Sequence, residues 1–324
     1  MTREGYLAVE KQFNLPPNTL EATFNYQGTF SKQFRYTEKE ILKTISESGA
    51  TSADASCDTA DGKLDFVLKV AQKMPIANYT LAMSHDIATG MTTALIHGSF
   101  LNFDFPTMIC SLVEAPRGNG WHFHAAKHSD QKTQSSQLIS RLRCSIAEWA
   151  NPMLLPIILL ENYQVRSHLF AHDLADKIVE LERQTGVVFA GRAVNPSEFD
   201  IHPENIPKVG IRKLTQDMHT LLTEIIFFER VAEWSFDCAK FLDKSTTQLR
   251  NSLLPENKKN LVGETRETLE TIEYMTASCK SMCGFQRSAK ERVQSQIGVV
   301  CYPSSPHLNF TDLMKKAVFF HCSD

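Results

Sequence analysis

Between Lys258 and Val300 the chain runs without a proline. Apolar or small residues return there every three or four positions, at Leu269, Ile272, Thr276, Cys279, Cys283, Gln286, Ala289, Val293, Ile297 and Val300. That spacing sets one stripe on one face of a helix. The opposite face carries Glu264, Arg266, Glu267, Glu270, Lys280, Arg287, Lys290, Glu291 and Arg292. Gly263 and Gly284 each cost about 1 kcal/mol against Ala and leave the pattern intact. At about 1.5 Å per residue such a helix is roughly 60 Å long, more than a compact domain needs. It must lie against other long helices or protrude. With Thr, Cys and Gln inside the stripe, the expected seam is modest rather than a tight coiled coil.

Two partners are legible upstream. Leu138 to Trp149 is an amphipathic helix, and Asn151-Pro152 opens a long one with Pro152 near its first turn, where proline is tolerated. Pro156 falls in its early turns and is expected to kink it. Its seam reads Leu160, Tyr163, Ser167, Phe170, Leu174, Ile178 and Leu181, with Gly186 as C-cap. After a Gly-, Asn- and Pro-rich loop from Val187 to Lys208, another helix is expected from about Val209 to Leu249. Its face carries Leu214, Met218, Leu221, Ile225, Phe228, Ala232, Phe236, Ala239 and Leu242. A connection from Asn251 to Asn260 leads into the last helix. Three long helices joined in this way predict an antiparallel arrangement.

The first part of the chain has a different character. Aromatics alternate with polar residues at Phe24, Tyr26, Phe30, Phe34 and Tyr36. Thr37 to Ser46 reads as a short helix with a capping box at Thr37 and Glu40. Glu47 to Gly62, without large apolar residues, reads as a loop. Strand patterns follow at Leu64 to Val70, Tyr79 to Met83, Met91 to His97, Phe105 to Val113 and Trp121 to Ala126. The expected fold class is therefore α+β: a mixed α/β domain with a small sheet over 1–137, three long antiparallel helices as a stalk or bundle over 138–300, and an irregular tail over 301–324.

With 324 residues, 42% hydrophobic and 22% charged, and a net charge of -3, the chain has the composition of a soluble globular protein. The balance leaves no electrostatic footprint for nucleic acid or an anionic membrane. No apolar run is long enough to span a bilayer, and the opening residues do not form a secretory signal. The eight cysteines stand singly, which fits a reduced, cytoplasmic setting.

Candidate chemistry is sparse. His122 and His124 lie two apart on an expected strand, so they face one way, and His128 is close by. A zinc site would need further ligands that no nearby Cys or carboxylate pattern supplies, and a solvated strand end is the plainer reading. His168 and His172 are four apart on a helix, the spacing of HExxH, yet Leu169 stands where the general-base Glu would be. An exposed helix face is the plainer reading there too. Cys279 and Cys283 read as small buried side chains. There is no GxGxxG, no GxxxxGK[ST], no GxSxG and no triad spacing. No catalytic, cofactor-binding or metal residue is assigned, and a non-catalytic protein without a cofactor is expected.

The helical part, from Asn151-Pro152-Met153-Leu154-Leu155-Pro156 through Leu160-Glu161-Asn162 to Glu182-Arg183-Gln184-Thr185-Gly186-Val187, resembles the fungal CorA-like family, relatives of the CorA magnesium transporters. The resemblance resumes over Leu214 to Leu242 and Leu269 to Val300. There, Glu291-Arg292-Val293-Gln294-Ser295-Gln296-Ile297-Gly298-Val299-Val300 looks like that family's entry to a membrane-proximal helix. The resemblance implies a cytoplasmic part of mixed α/β domain and long helices, followed by two membrane spans with Gly-Met-Asn at the pore mouth. Here Cys301-Tyr302-Pro303-Ser304-Ser305-Pro306 is expected to stop the helix, and Gly90-Met91-Thr92 is a chance near-match. Ion conduction by this chain alone is excluded on that reading. The tail is read as a genuine ending or as the product of a retained intron or shifted frame. Three functions stay open: a soluble CorA-like protein acting through self-association or a protein partner, a truncated divalent-cation transporter relative, and an accessory protein of a fungal metabolic pathway.

Overall fold

The computed structural model describes residues 2–17, 19–25, 27–35, 62–73, 76–87, 89–98, 134–144, 151–185, 210–252 and 255–301. The fold is α+β: a four-stranded antiparallel sheet followed by long helices. Two short helices come first, α1 (Arg3–Gln12) and α2 (Thr19–Thr23). Thr2 caps α1, its hydroxyl accepting from the Gly5 N–H at 3.2 Å. Strands β1 (Thr29–Arg35), β2 (Lys63–Lys69), β3 (Tyr79–Asp86) and β4 (Thr92–Gly98) pair in sequence order.

The sheet therefore begins with Thr29 to Arg35, earlier than the strand patterns from Leu64 onward suggest. Phe30, Lys32 and Phe34 on one side of β1 do alternate with Ser31 and Gln33, a period of two that could have been read. The expected strands at 105–113 and 121–126, the helix at 37–46, the loops at 47–61 and 187–208, and the tail after Cys301 lie outside the described residues.

The chain divides into two compact units. The first takes Met1–Ser167 and Glu233–Lys280, which includes the sheet and parts of the long helices. One face of the sheet meets aromatic side chains of the helix Ile211–Ser252. Phe241 lies 4.8 Å from Phe30 and 5.4 Å from Phe66, ring centre to ring centre. Tyr79 donates its hydroxyl to the Leu159 carbonyl at 2.6 Å, and Tyr163 donates to that of Ala71 at 2.7 Å. On the other face α2 packs on β2 and β3. Strand β2 alternates apolar and polar as its sequence shows, yet both its faces are buried, because helices stand on both sides of the sheet.

Helix α3 spans Gln134–Cys144, and three long helices follow: α4 (Leu154–Thr185), α5 (Ile211–Ser252) and α6 (Pro255–Cys301). The start of α4 falls two residues after Pro152. The Asn151 side chain accepts from the Met153 N–H at 3.0 Å, leaving Pro152 in the cap rather than in the first turn. Pro156 is the third residue of α4, where an N–H would have no intrahelical acceptor, so its ring costs no ladder bond. The α5–α6 connection is shorter than expected. α6 begins at Pro255, and proline suits the first helical position.

All seven residues of the α4 seam are buried. On α5, Phe236 is half-buried instead of buried, with the Lys240 ammonium 3.8 Å from its ring centre, while Val231, Trp234, Ser235 and Cys238 join the buried set. On α6 the buried residues are Thr268, Ile272, Met275, Cys279, Met282, Gln286, Ala289, Val293 and Gln296. They share Ile272, Cys279, Gln286, Ala289 and Val293 with the expected stripe. Thr276, Cys283 and Ile297 are only half-buried.

The second unit takes His168–Ala232 and Ser281–Asp324. In it α5 runs antiparallel to α4, pairing Phe170 with Phe228 and Lys177 with Glu224. α6 runs parallel to α4: Glu182 meets Arg292, and the Thr185 hydroxyl donates to the Gln296 side-chain oxygen at 2.6 Å.

Candidate functional site

His168 and His172 sit on exposed positions of α4. His172 faces Asp176 one turn on, at 3.7 Å. Among the described residues no three His, Cys, Asp or Glu side chains come close enough together to hold a metal ion. His122, His124 and His128 lie outside the described residues. Gly90 occupies the turn between β3 and β4 with φ +69°, a glycine conformation, and Met91 beside it is exposed.

In the first unit Cys238, Cys279, Tyr79 and Tyr163 are sealed, whereas Cys144 and Tyr274 are exposed. Cys279 is buried on α6, where the Gln164 amide donates to its Sγ at 2.7 Å and to the Met275 carbonyl at 3.1 Å. Burial, reinforced by the neighbouring Cys279, pushes the Cys238 thiol well above its ordinary value. Burial likewise raises both Tyr79 and Tyr163. A thiol attacks as the thiolate, so Cys238 is held in its unreactive form. Cys283 is half-buried.

One open feature among the described residues of the first unit is a groove of about 760 Å³ between the C-terminal half of α5 and the N-terminal half of α6. Lys240, Asp243, Thr247 and Arg250 form one wall. They are three, four and three apart, so they share one exposed row of α5. Arg266, Glu270, Glu273, Ala277 and Lys280 form the other, and Leu269, Ile272 and Thr276 make the floor. Ile272 is buried and Leu269 and Thr276 are half-buried, while the wall residues are exposed. Arg266 and Glu270 pair along α6 at 2.9 Å. Tyr274, one turn from Glu270, is 75% exposed, more than any other large apolar side chain among the described residues.

Chemically the groove is an apolar floor between rows that carry both signs of charge. Sequence reasoning marked Arg266, Glu270 and Lys280 as a solvated face of the last helix and did not single out Lys240, Asp243 or Arg250. The three-four-three spacing of the α5 row was readable, but its apposition to α6 was not.

The second unit also carries aligned ionic contacts between its helices. Arg292 donates from Nε to one Glu182 oxygen at 2.8 Å and from Nη2 to the other at 2.6 Å, with both side chains nearly buried. Lys290 pairs with Glu229 at 3.1 Å and Lys177 with Glu224 at 2.7 Å. The bidentate pair fixes how α4 and α6 align lengthwise. Among the described residues no helix is long and apolar enough to cross a membrane. Compared with known protein families, curated proteins and solved structures, the chain has no match.

Proposed function

We propose that this chain is a non-catalytic assembly protein, built on a CorA-like plan and resident in the cytoplasm, that pairs with a second copy of itself through the groove between α5 and α6. The observation that carries the reading is that groove. It has an apolar floor at Leu269 and Ile272, an exposed aromatic at Tyr274 one turn away, and walls bearing Lys240, Arg250, Arg266 and Lys280 against Asp243, Glu270 and Glu273. A two-fold interface uses the same patch on both copies and so requires a patch complementary to itself. A wall of mixed sign meets that requirement, whereas a wall of one sign would repel its copy. Exposed tyrosines are favoured anchors at such contacts. Support for the CorA-like plan is the element order, a small sheet followed by long helices.

The test is charge reversal with complementation. Arg266→Glu with Lys280→Glu makes every charge of the α6 wall acidic and leaves the groove as a whole with an acidic excess, which weakens self-association by about tenfold or more, since like charges brought together at an interface cost several kcal/mol. Mixing this variant with a Glu270→Lys, Glu273→Lys protein restores association as a heterodimer. Variants that associate as the wild type does, or a mixture that shows no preference for heterodimers, contradict the proposal.

A further inference from the structure

Helices α1 and α2 cover the face of the sheet that carries Val67 and the row Lys69, Thr80 and His97. His97 stands at the end of that row, on β4, and both helices reach it. The Tyr6 ring of α1 meets the His97 ring edge-on at 5.3 Å between centres, and Thr23 Oγ1 of α2 is 3.0 Å from His97 Nε2. Thr23 is the hub. It donates its one hydroxyl proton to the Thr19 carbonyl at 3.0 Å, within α2. It therefore meets its other two partners as an acceptor, one lone pair for the His97 Nε2–H and one for the Tyr6 hydroxyl. The tautomer follows. The neutral imidazole carries its proton on Nε2, and acid adds the second at Nδ1.

That second proton is unwelcome while the helices are in place. Burial, and then the charge of Lys69 in the same row, hold His97 below its ordinary value of 6.5. Lys69 is 3% exposed, with its ammonium on the neutral side-chain oxygen of Asn78. From α1, Tyr6 is kept protonated by burial, and Glu10 acts on Tyr6 without being among the groups that shift His97. Arg3, Glu4 and Lys11 of α1 are exposed. From α2 come the Thr19 and Thr23 hydroxyls, while Glu21 is exposed over Asp65 and Val67. Asp65 is occupied by Arg35 and Ser84. The stability that neutral His97 lends to this face is complete above pH 6.5 and is lost as pH falls through its lower folded value. Glu10, raised by burial, works the other way. The cost of the imidazolium has a local outlet, because lifting α1 and α2 lets water reach it. The opposite face of the sheet is held separately, by Phe30 and Phe66 against Phe241.

We infer that α1 and α2 form an acid-released latch on the sheet. Protonation of His97 at Nδ1 lifts both helices and uncovers the face that bears Val67 and Ala82, which are buried beneath them, while the long helices stay packed.

The experiment is amide hydrogen exchange of the full chain from about pH 8 down to about pH 5, corrected for the intrinsic effect of pH and read peptide by peptide. Below pH 6.5 the protection of α1 and α2 falls by up to about tenfold per pH unit, and that of α6 does not follow. His97→Gln removes the fall. Lys69→Met makes it smaller, because the repelling charge is gone, and Glu10→Gln makes it steeper, because the opposing carboxylate is gone. A fall shared equally by α6 overturns the inference, since it reports loosening of the whole chain. So does a flat response in both wild type and Glu10→Gln, or a fall that persists in His97→Gln. Should His97→Gln not fold, a Lys69→Met profile identical to that of the wild type overturns it equally.

Discussion

Gly28 shows how one residue can be required by its surroundings. Its φ of +83° is a left-handed conformation, and an added Cβ would come within 2.6 Å of both the Ala71 nitrogen and Trp234 Nε1. The first obstacle is backbone, so nothing cheap can move aside. Gly28→Ala is expected to cost about 1–3 kcal/mol, read as a lower urea midpoint at unchanged slope. His85 gives a different kind of prediction. It is buried on β3, with Nδ1 2.9 Å from the Thr92 hydroxyl, and desolvation lowers its pKa from 6.5 to about 4. The unfolded chain therefore takes up this proton well before the folded one. The stability that neutral His85 contributes is complete above pH 6.5, declines as pH falls, and is gone by about pH 4. His97 and His168 are lowered too and act in the same direction. A His85→Asn protein should show a flatter loss of stability with acid than the wild type. Parallel curves would contradict the assignment.

Among the elements, α6 shows what a periodic sequence reveals and what it withholds. Its existence, its length and the central part of its stripe were legible from the three-four spacing alone. The ends and alternates were not. Thr268 is buried rather than Leu269, and Gln296 rather than Ile297, because each polar residue has a partner on the α4 segment. The Asn151 amide donates to the Thr268 hydroxyl at 2.9 Å, and the Thr185 hydroxyl donates to Gln296. A hydropathy pattern ranks Leu above Thr and cannot see a hydrogen-bond donor more than a hundred positions away. The seam of α4 was read correctly because each of its positions except Ser167 is a large apolar side chain with a polar neighbour to contrast. Between α4 and α6 runs the bidentate, nearly buried ion pair of Arg292 with Glu182. Arg292→Ala leaves Glu182 buried and unpaired, which costs about 3–5 kcal/mol. Arg292→Met together with Glu182→Leu should recover most of that loss in a denaturant titration. A double variant no better than the single one would show that the tie is not the reason.

For the molecule as a whole, fold class was the most legible feature and the candidate site the least. The change from period two to long three-four spacing separates sheet from helices in any reading of this chain, and the small sheet before long helices is what the structure has. The groove depends on which row of α5 meets which row of α6, a matter of tertiary packing that neither helix states by itself. The same holds for the buried face of β2, where polar residues that would ordinarily meet solvent lie near α1 and α2 instead. The central claim, that the α5–α6 groove pairs two copies, is tested most directly by the molar mass of the unmodified full chain. The measurement is sedimentation equilibrium across nanomolar to high micromolar concentrations. A reversible monomer–dimer curve is predicted, weakened as salt screens the mixed charges of the walls. A single monomer mass throughout the range would contradict the account.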